Sequence, residues 1–357
     1  AINGATYPLS GEPRAMAANT TLPTRTLGRT GLTVTALGLG CAPLGDIYER
    51  LDDETALDTV QAAADGGITL FDTAPFYGQG IAEHRLGTIL RRQPRDTFVL
   101  STKVGRWMKP APQGRTKTSR FVGGLEFDVM PDYSYDGIMK SFEHSLVRLG
   151  LPSVDVLLVH DADAWGYGRQ RAEELYPIVL ESGQRALEEL RSAGVIKGYG
   201  LGLNDPEYAA RYLRDGDFDC LLMAGRYSLI EQPALAEVLP IALERQAGVM
   251  LGGVYNSGIL ATGAIDGAKY NYLPAPPEIL EKVSKIEKVC AAHGVALPVA
   301  AIHFCLGHTA VSCVVLGAVK PDEVERNIEA ISQTVPAGLW SDLKAEGLLP
   351  EDVPVPG

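Results

Sequence analysis

Asp53-Glu-Thr-Ala-Leu-Asp-Thr-Val-Gln-Ala-Ala-Ala64, then Ile68-Thr-Leu-Phe-Asp-Thr-Ala-Pro-Phe-Tyr-Gly78, holds one full turn of this chain's internal rhythm. Ala56, Leu57, Val60 and Ala63 share one face of a 3.6-residue period, which predicts a helix over 53–64. Ile68–Phe71 is a short apolar run that stops on a single charged residue, Asp72, as a strand buried on both faces would.

The same alternation recurs in both directions. Strand candidates are Val34–Leu39, Ile68–Phe71, Phe98–Lys103, Val156–His160, Ile196–Leu203, Cys220–Ala224, Val249–Gly253 and Val311–Leu316. Helix candidates are Asp53–Ala64, Ala82–Arg91, Tyr135–Leu149, Gly183–Ser192, Pro206–Leu213, Ala234–Gln246, Pro277–His293 and Asp322–Ile331. Eight strand–helix alternations predict an α/β fold with a parallel sheet. The count, the length and the lack of a GxGxxG turn after the first strand favour a (β/α)8 TIM barrel over an open sheet. Residues 1–24, rich in Ala, Thr, Pro and Gly, read as an N-terminal tail, and 25–357 as a single barrel domain. The connections 104–134, 161–182 and 254–276 are too long for plain turns. All three follow strands, so all three are expected as long loops at the C-terminal face.

Composition narrows the function. Hydrophobic residues make up 46% of the 357 and charged residues 21%, an ordinary globular balance. The formal charge of −12 disfavours duplex nucleic acid and anionic membranes as partners. It does not disfavour a phosphate-bearing cofactor, because backbone N–H groups can hold phosphate. Cys41, Cys220, Cys290, Cys305 and Cys313 show no CxxC or metal-type spacing. Their odd number and the lack of a signal-type start give the expectation of a cytoplasmic protein.

Chemistry concentrates at strand ends. Asp72, Lys103 and His160 each close an apolar run, and Tyr77 lies five residues after Asp72. A lone Asp or Lys there is ordinarily a rim salt bridge, but on a barrel these strands are neighbours and the four side chains converge. Hydride transfer at a carbonyl carbon needs a proton donor or acceptor on the oxygen. Tyr77 fits that task if Lys103 stabilises its phenolate, with Asp72 anchoring the lysine and His160 orienting the oxygen. His160-Asp161-Ala-Asp163 is set aside as a metal site, since the first strand ends Leu-Gly-Leu-Gly-Cys41 without an HxH pair. His303 and His308 flank an apolar stretch and read as structural. Trp107, Trp165 and Tyr255 lie in the long connections and are expected to wall the substrate, Trp107 and Tyr255 foremost.

These stretches resemble the aldo-keto reductase superfamily. The resemblance rests on Arg25-Thr-Leu-Gly-Arg-Thr-Gly-Leu-Thr-Val34, Leu37-Gly-Leu-Gly40, Phe71-Asp-Thr-Ala-Pro-Phe-Tyr-Gly78 and Ser101-Thr-Lys-Val104. It implies the barrel, a nicotinamide cofactor across its C-terminal mouth, and a catalytic tetrad of Asp72, Tyr77, Lys103 and His160. Asp132-Tyr-Ser-Tyr-Asp-Gly-Ile-Met139, Leu158-Val-His-Asp161, Gly225-Arg-Tyr227, Tyr255-Asn-Ser-Gly-Ile-Leu260 and Pro277-Glu-Ile-Leu280 look like one bacterial branch. That branch contains D-threo-aldose (L-fucose) 1-dehydrogenases, L-galactose dehydrogenases and pyridoxal 4-dehydrogenase.

The resemblance further implies cofactor contacts at Asn204, Gly252, Ser257, Gly258, Leu260, Gly317, Glu323 and Asn327. The chain departs from the family where Ser-Asn is usual: it has Leu203-Asn204, and Leu203 cannot bond a carboxamide. A usual Gln is replaced by Ala224 with Arg226 two residues on, and Gly252 stands where a tyrosine commonly stacks on nicotinamide. NADP-preferring members often carry Arg at the position of Glu323; a carboxylate there repels a 2′-phosphate, so NAD is expected over NADP. The expected activity is NAD-dependent oxidation of the anomeric hydroxyl of an aldose of L-fucose or L-galactose type to a lactone. Oxidation of pyridoxal at its hemiacetal carbon is the alternative, and a cofactor-binding regulatory subunit is the alternative of another class.

Overall fold

The computed structural model describes residues 21–111 and 121–356. The expected tail lies outside them up to residue 20, as do residues 112–120 of the connection 104–134. Leu22 already packs into the core, 4% exposed.

Eight strands form a closed barrel: β1 Leu37–Gly40, β2 Leu70–Asp72, β3 Val99–Val104, β4 Val156–His160, β5 Gly198–Leu203, β6 Cys220–Ala224, β7 Gly248–Gly252 and β8 Val311–Gly317. Each pairs in parallel with its sequence neighbour, and β8 closes on β1. Short apolar runs alternating with amphipathic helices have this solution because both faces of every strand are covered. Side chains alternate along each strand. Phe71, Leu100, Leu157 and Leu201 face the helices, while Leu70, Val99, Val156 and Met250 fill the barrel.

The N-terminal end is plugged. Thr24–Thr26 and Thr33–Thr35 form an antiparallel hairpin, and Leu27 and Val34 from it join the inner core. The first sequence-predicted strand, Val34–Leu39, is therefore two elements: Val34 belongs to the plug, and the barrel strand starts at Leu37.

The connection 161–182 is mostly helical, not a loop. Ala164–Tyr167 and Arg169–Ile178 are helices, and one wide turn at Val179–Gly183 joins the second to Gln184–Ser192. Pro177 lies within the second of these helices and Gly183 within the wide turn, and neither ends the helical run. The connection 104–134 carries an antiparallel hairpin, Arg106–Pro110 with Phe127–Pro131. The connection 254–276 carries a smaller one, Lys269–Tyr270 with Leu273–Pro274.

Leu297–Leu306 is a helix that periodicity missed, because Val299, Ala300, Ala301, Ile302, Phe304 and Cys305 are all buried and leave no polar face to mark the period. Among the described residues no single helix is long and apolar enough to cross a membrane.

Candidate active site

Three adjacent strands deliver three charged or titratable side chains into the C-terminal mouth. Asp72 ends β2, Lys103 sits near the end of β3, and His160 ends β4. Their exposures are 2%, 1% and 4%, so each has left water and needs a partner. Lys103 Nζ donates to Asp72 Oδ2 at 2.6 Å and to the Thr73 carbonyl at 3.0 Å. Ser101 Oγ donates to the other Asp72 oxygen at 3.0 Å.

Tyr77 arrives from the turn after β2. Gly78, Gln79 and Gly80 all take left-handed backbone angles, which reverse the chain directly behind it. A Cβ at Gly78 would lie 2.4 Å from the Gly45 carbonyl oxygen, so only glycine fits there. Lys103 Nζ lies 5.1 Å from the Tyr77 ring centroid, and the His160 ring stands edge-on to Tyr77 at 5.8 Å and 89°. The structure thus gathers all four sequence-predicted residues at the mouth, Asp72 and Tyr77 on the long cavity and Tyr77, Lys103 and His160 on the recess beside it.

Lys103 has room because β5 gives it a lane. The inward positions of β5 are Gly198, Gly200 and Gly202, and a Cβ at Gly202 would lie 3.2 Å from Lys103 Cε. Gly202→Ala should displace the ammonium at a stability cost of only about 1–3 kcal/mol. Turnover is expected to fall about tenfold or more while the thermal midpoint drops by a few degrees; an unchanged kcat would show that the lane does not matter.

Electrostatics depart from one expectation. The Tyr77 phenol is held well above its ordinary value, by burial first and then by the Asp72 and Asp161 carboxylates. Lys103, 5.1 Å from the ring and paired with Asp72, does not outweigh this. Tyr77 therefore carries its proton at pH 7. Burial likewise pushes the Asp72 carboxyl up, against the pull of Lys103. His160 is driven well below the usual imidazole range by burial, with Arg106 and Lys103 adding to it, and so is neutral at pH 7.

A histidine kept neutral when folded takes up a proton more readily when unfolded. Its contribution to stability is complete above the unfolded value near ~6.5 and is lost as pH falls, by up to about 1.4 kcal/mol per pH unit. Denaturant unfolding at pH 7.5, 6.5 and 5.5 should show this slope. His160→Gln should flatten it, leaving the part due to His84, His144, His303 and His308, whose values burial also lowers.

The mouth opens into a cavity of about 730 Å³ that runs from Asp72 and Tyr77 past Asn204, Gly252, Ser257 and Gly258 to Gly317 and Glu323. A recess of about 80 Å³ deepens it, lined by Ile47, Phe76, Phe121, Leu203, Tyr272 and His160 among others. Several non-glycine residues at this rim hold left-handed backbones, among them Tyr48, Asp161, Ser257, Asn271 and Tyr272. Such strain gathers where a fold presents function.

The long cavity fits an extended dinucleotide. Gly40, Gly252 and Gly317 leave bare backbone along it, and a Cβ at Gly317 would meet the Pro43 ring at 2.7 Å. Arg226 and Lys269 bring cations to its wall, suited to a pyrophosphate. Glu323 lines the far end, and its Oε2 accepts the Val319 N–H at 2.8 Å.

Four expected contacts lie elsewhere. Leu260 is fully buried in the core and lines neither cavity, because the short helix Ile259–Thr262 turns it inward. Trp107 lines none of the described cavities: Arg106 points into the site, so strand alternation sends Trp107 the other way, beneath Lys140 Nζ at 3.3 Å. Tyr255 lines the long cavity but on the cofactor side, where its hydroxyl donates to Asn327 Oδ1 at 2.9 Å. Asn327 thus reaches the site through Tyr255, not as part of the lining. Trp165 is 40% exposed, stacked with Arg226 at 4.6 Å.

Ile47, Phe76, Phe121 and Tyr272 are the lining residues that sequence reasoning missed. Phe76 stood inside a quoted motif, beside Tyr77. The others lie in connections whose path only the folded chain reveals.

Comparison with known proteins agrees with this geometry. Residues 36–345 match the aldo/keto reductase family. The chain is 42% identical over 334 residues to pyridoxal 4-dehydrogenase of Microbacterium luteolum, covering 91% of this chain and 97% of that one. It is 38% identical over 332 residues to D-threo-aldose 1-dehydrogenase of a Pseudomonas species, covering 90% and 96%. An aldo-keto reductase from Bacillus halodurans superposes with a TM-score of 0.68 at 24% identity, covering 93% of this chain and 98% of that one, which speaks for the fold alone. The chain belongs to the aldo/keto reductase family, and is an oxidoreductase that acts on CH–OH groups with a nicotinamide cofactor.

Proposed function

We propose that this protein oxidises the cyclic hemiacetal of pyridoxal to its lactone, with NAD as hydride acceptor. The observation that carries this is the lining of the recess beside Tyr77 and His160. Phe76 and Phe121 meet edge to face at 5.4 Å, and Ile47, Leu203, Leu222 and Tyr272 complete the wall. Such a slot suits a flat ring. A sugar hydroxyl turned toward that apolar wall would lack a partner, at a cost of about 1–3 kcal/mol. The 42% identity to a pyridoxal 4-dehydrogenase points the same way.

The residues divide the work. When bound, the oxidised nicotinamide supplies a hydride acceptor and a positive charge beside the phenol. Tyr77, its phenol proton first released to water, would as phenolate take the proton of the hemiacetal hydroxyl while the C–H hydride passes to the acceptor. Lys103, anchored by Asp72, holds positive charge beside the ring. His160, neutral, donates to the reacting oxygen and fixes its place. Glu323, at the adenosine end, disfavours a 2′-phosphate.

An aldose of L-fucose or L-galactose type is the second reading, favoured by Asp161 and Asn204 at the recess and by the 38% identity to an aldose dehydrogenase. Initial rates of NADH formation with pyridoxal, L-fucose and L-galactose separate the two, and repeating them with NADP tests Glu323. Pyridoxal with NAD is expected to give the highest kcat/KM. A higher value for either sugar would transfer the function to the second reading, and a preference for NADP would remove the role given to Glu323.

A further inference from the structure

Asp161 belongs to no part of the tetrad, yet it lines the recess and reaches Arg106, Asn204 and His160 at once. It follows β4 with a left-handed backbone, φ 48°, a conformation that costs a non-glycine residue energy. Its N–H donates to the Gly202 carbonyl at 2.9 Å, which ties the strained residue to β5. Its Oδ1 accepts from Asn204 Nδ2 at 2.9 Å. Its Oδ2 pairs with Arg106 Nη1 at 3.1 Å and lies 3.6 Å from His160 Nε2.

Arg106 is itself fixed. Its guanidinium sits between the Phe76 ring at 4.8 Å and the Tyr167 ring at 5.3 Å, and its Nε donates to Tyr167 Oη at 3.0 Å. The carboxylate therefore has one position, and a carboxylate only accepts hydrogen bonds.

Two consequences follow. Asn204 must turn its NH2 to Asp161, which leaves its Oδ1 as the acceptor offered to the long cavity. His160 must keep its single proton on Nε2. Among the described residues Nδ1 is buried without a partner, so a proton there would be an orphaned donor, and the Nε2 lone pair would then face Oδ2. At 3.6 Å the carboxylate holds the Nε2 proton by charge without capturing it in a hydrogen bond, so it stays available to a substrate oxygen.

We infer that Asp161 is a positioning residue that sets the hydrogen-bond polarity of two groups at once: His160 as donor to the reacting oxygen, and Asn204 as acceptor for the amide of the cofactor. The assignment rests on the reading of His160 as a partner of the substrate oxygen, but its first test does not use turnover.

Nitrogen-15 NMR of the histidine-labelled full chain reads the tautomer directly. The wild type should show Nε2 protonated and Nδ1 bare. The double variant Arg106→Met/Asp161→Asn removes both charges together and keeps a residue type that accepts the left-handed backbone. The asparagine amide can present either N–H or oxygen, so only the bare Nδ1 still favours Nε2, and a measurable fraction of the His160 proton should move to Nδ1. In the same variant kcat should fall about 10- to 100-fold with little change in the substrate KM. NAD affinity, measured by fluorescence titration, should weaken about two- to tenfold as the Asn204 amide is released.

A wild type with its proton on Nδ1, or a variant with the wild-type tautomer, overturns the assignment. If the variant does not fold, the wild-type spectrum still decides it. A wild type that oxidises no hemiacetal while its tautomer follows Asp161 removes the proposed function and leaves the positioning role. Turnover with an unmoved tautomer does the reverse.

Discussion

Tyr77→Phe should lower kcat by about three orders of magnitude and leave NAD affinity within about threefold of wild type. The substitution keeps the ring and its contacts: the edge-on packing against His160, the tilted contact with Phe121 at 6.0 Å and the Lys103 charge over its face. Only the oxygen that carries the proton is lost. Stability should fall little, since the ring and its packing are kept. Single-turnover absorbance and a fluorescence titration of NAD check the two halves. Retained turnover would mean that another group handles the proton, and His160 would be the next to replace.

The second large effect is on Lys103. Lys103→Met strips the counter-charge from a carboxylate that is 2% exposed, and breaking such a pair from one side costs about 3–5 kcal/mol. Asp72→Asn in the same chain removes the orphaned charge, so the double variant should regain most of the lost stability, as apolar or neutral replacement of a buried pair often does. Activity should stay down by about three orders of magnitude in both, because neither holds a cation beside Tyr77.

The pH dependence of the single variant distinguishes this from a packing defect. Asp72 without Lys103 has its folded value raised further above ~3.8. A group so raised contributes stability below its unfolded value and loses it as pH rises through the folded one. The deficit of Lys103→Met should therefore be larger at pH 8 than at pH 5, and Asp72→Asn should erase the difference. A deficit equal at both pH values would point to the lost methylene packing instead.

Much of the site was legible because barrel strands announce their ends. An apolar run must stop where water begins, and Asp72, Lys103 and His160 stop three of them. What sequence misplaced was set by direction or context. Trp107 lay in the right connection but on the wrong side of a hairpin that its spacing did not reveal. Asp161 was weighed only as a metal ligand, since a residue adjacent in sequence to His160 gives no sign that Arg106 and Asn204 will meet it. The connection 161–182 reads as a loop from its length and position after a strand, whereas tertiary packing keeps it helical through Pro177.

The sequence by itself determined the alternation, the barrel and the four residues at the strand ends, since periodicity and chain order are properties of the line. The tertiary structure alone decided how charge is shared among them. Lys103 spends its charge on Asp72, Tyr77 keeps its proton, and His160 stays neutral, because burial and distance, not residue type, set which ionic form a side chain adopts.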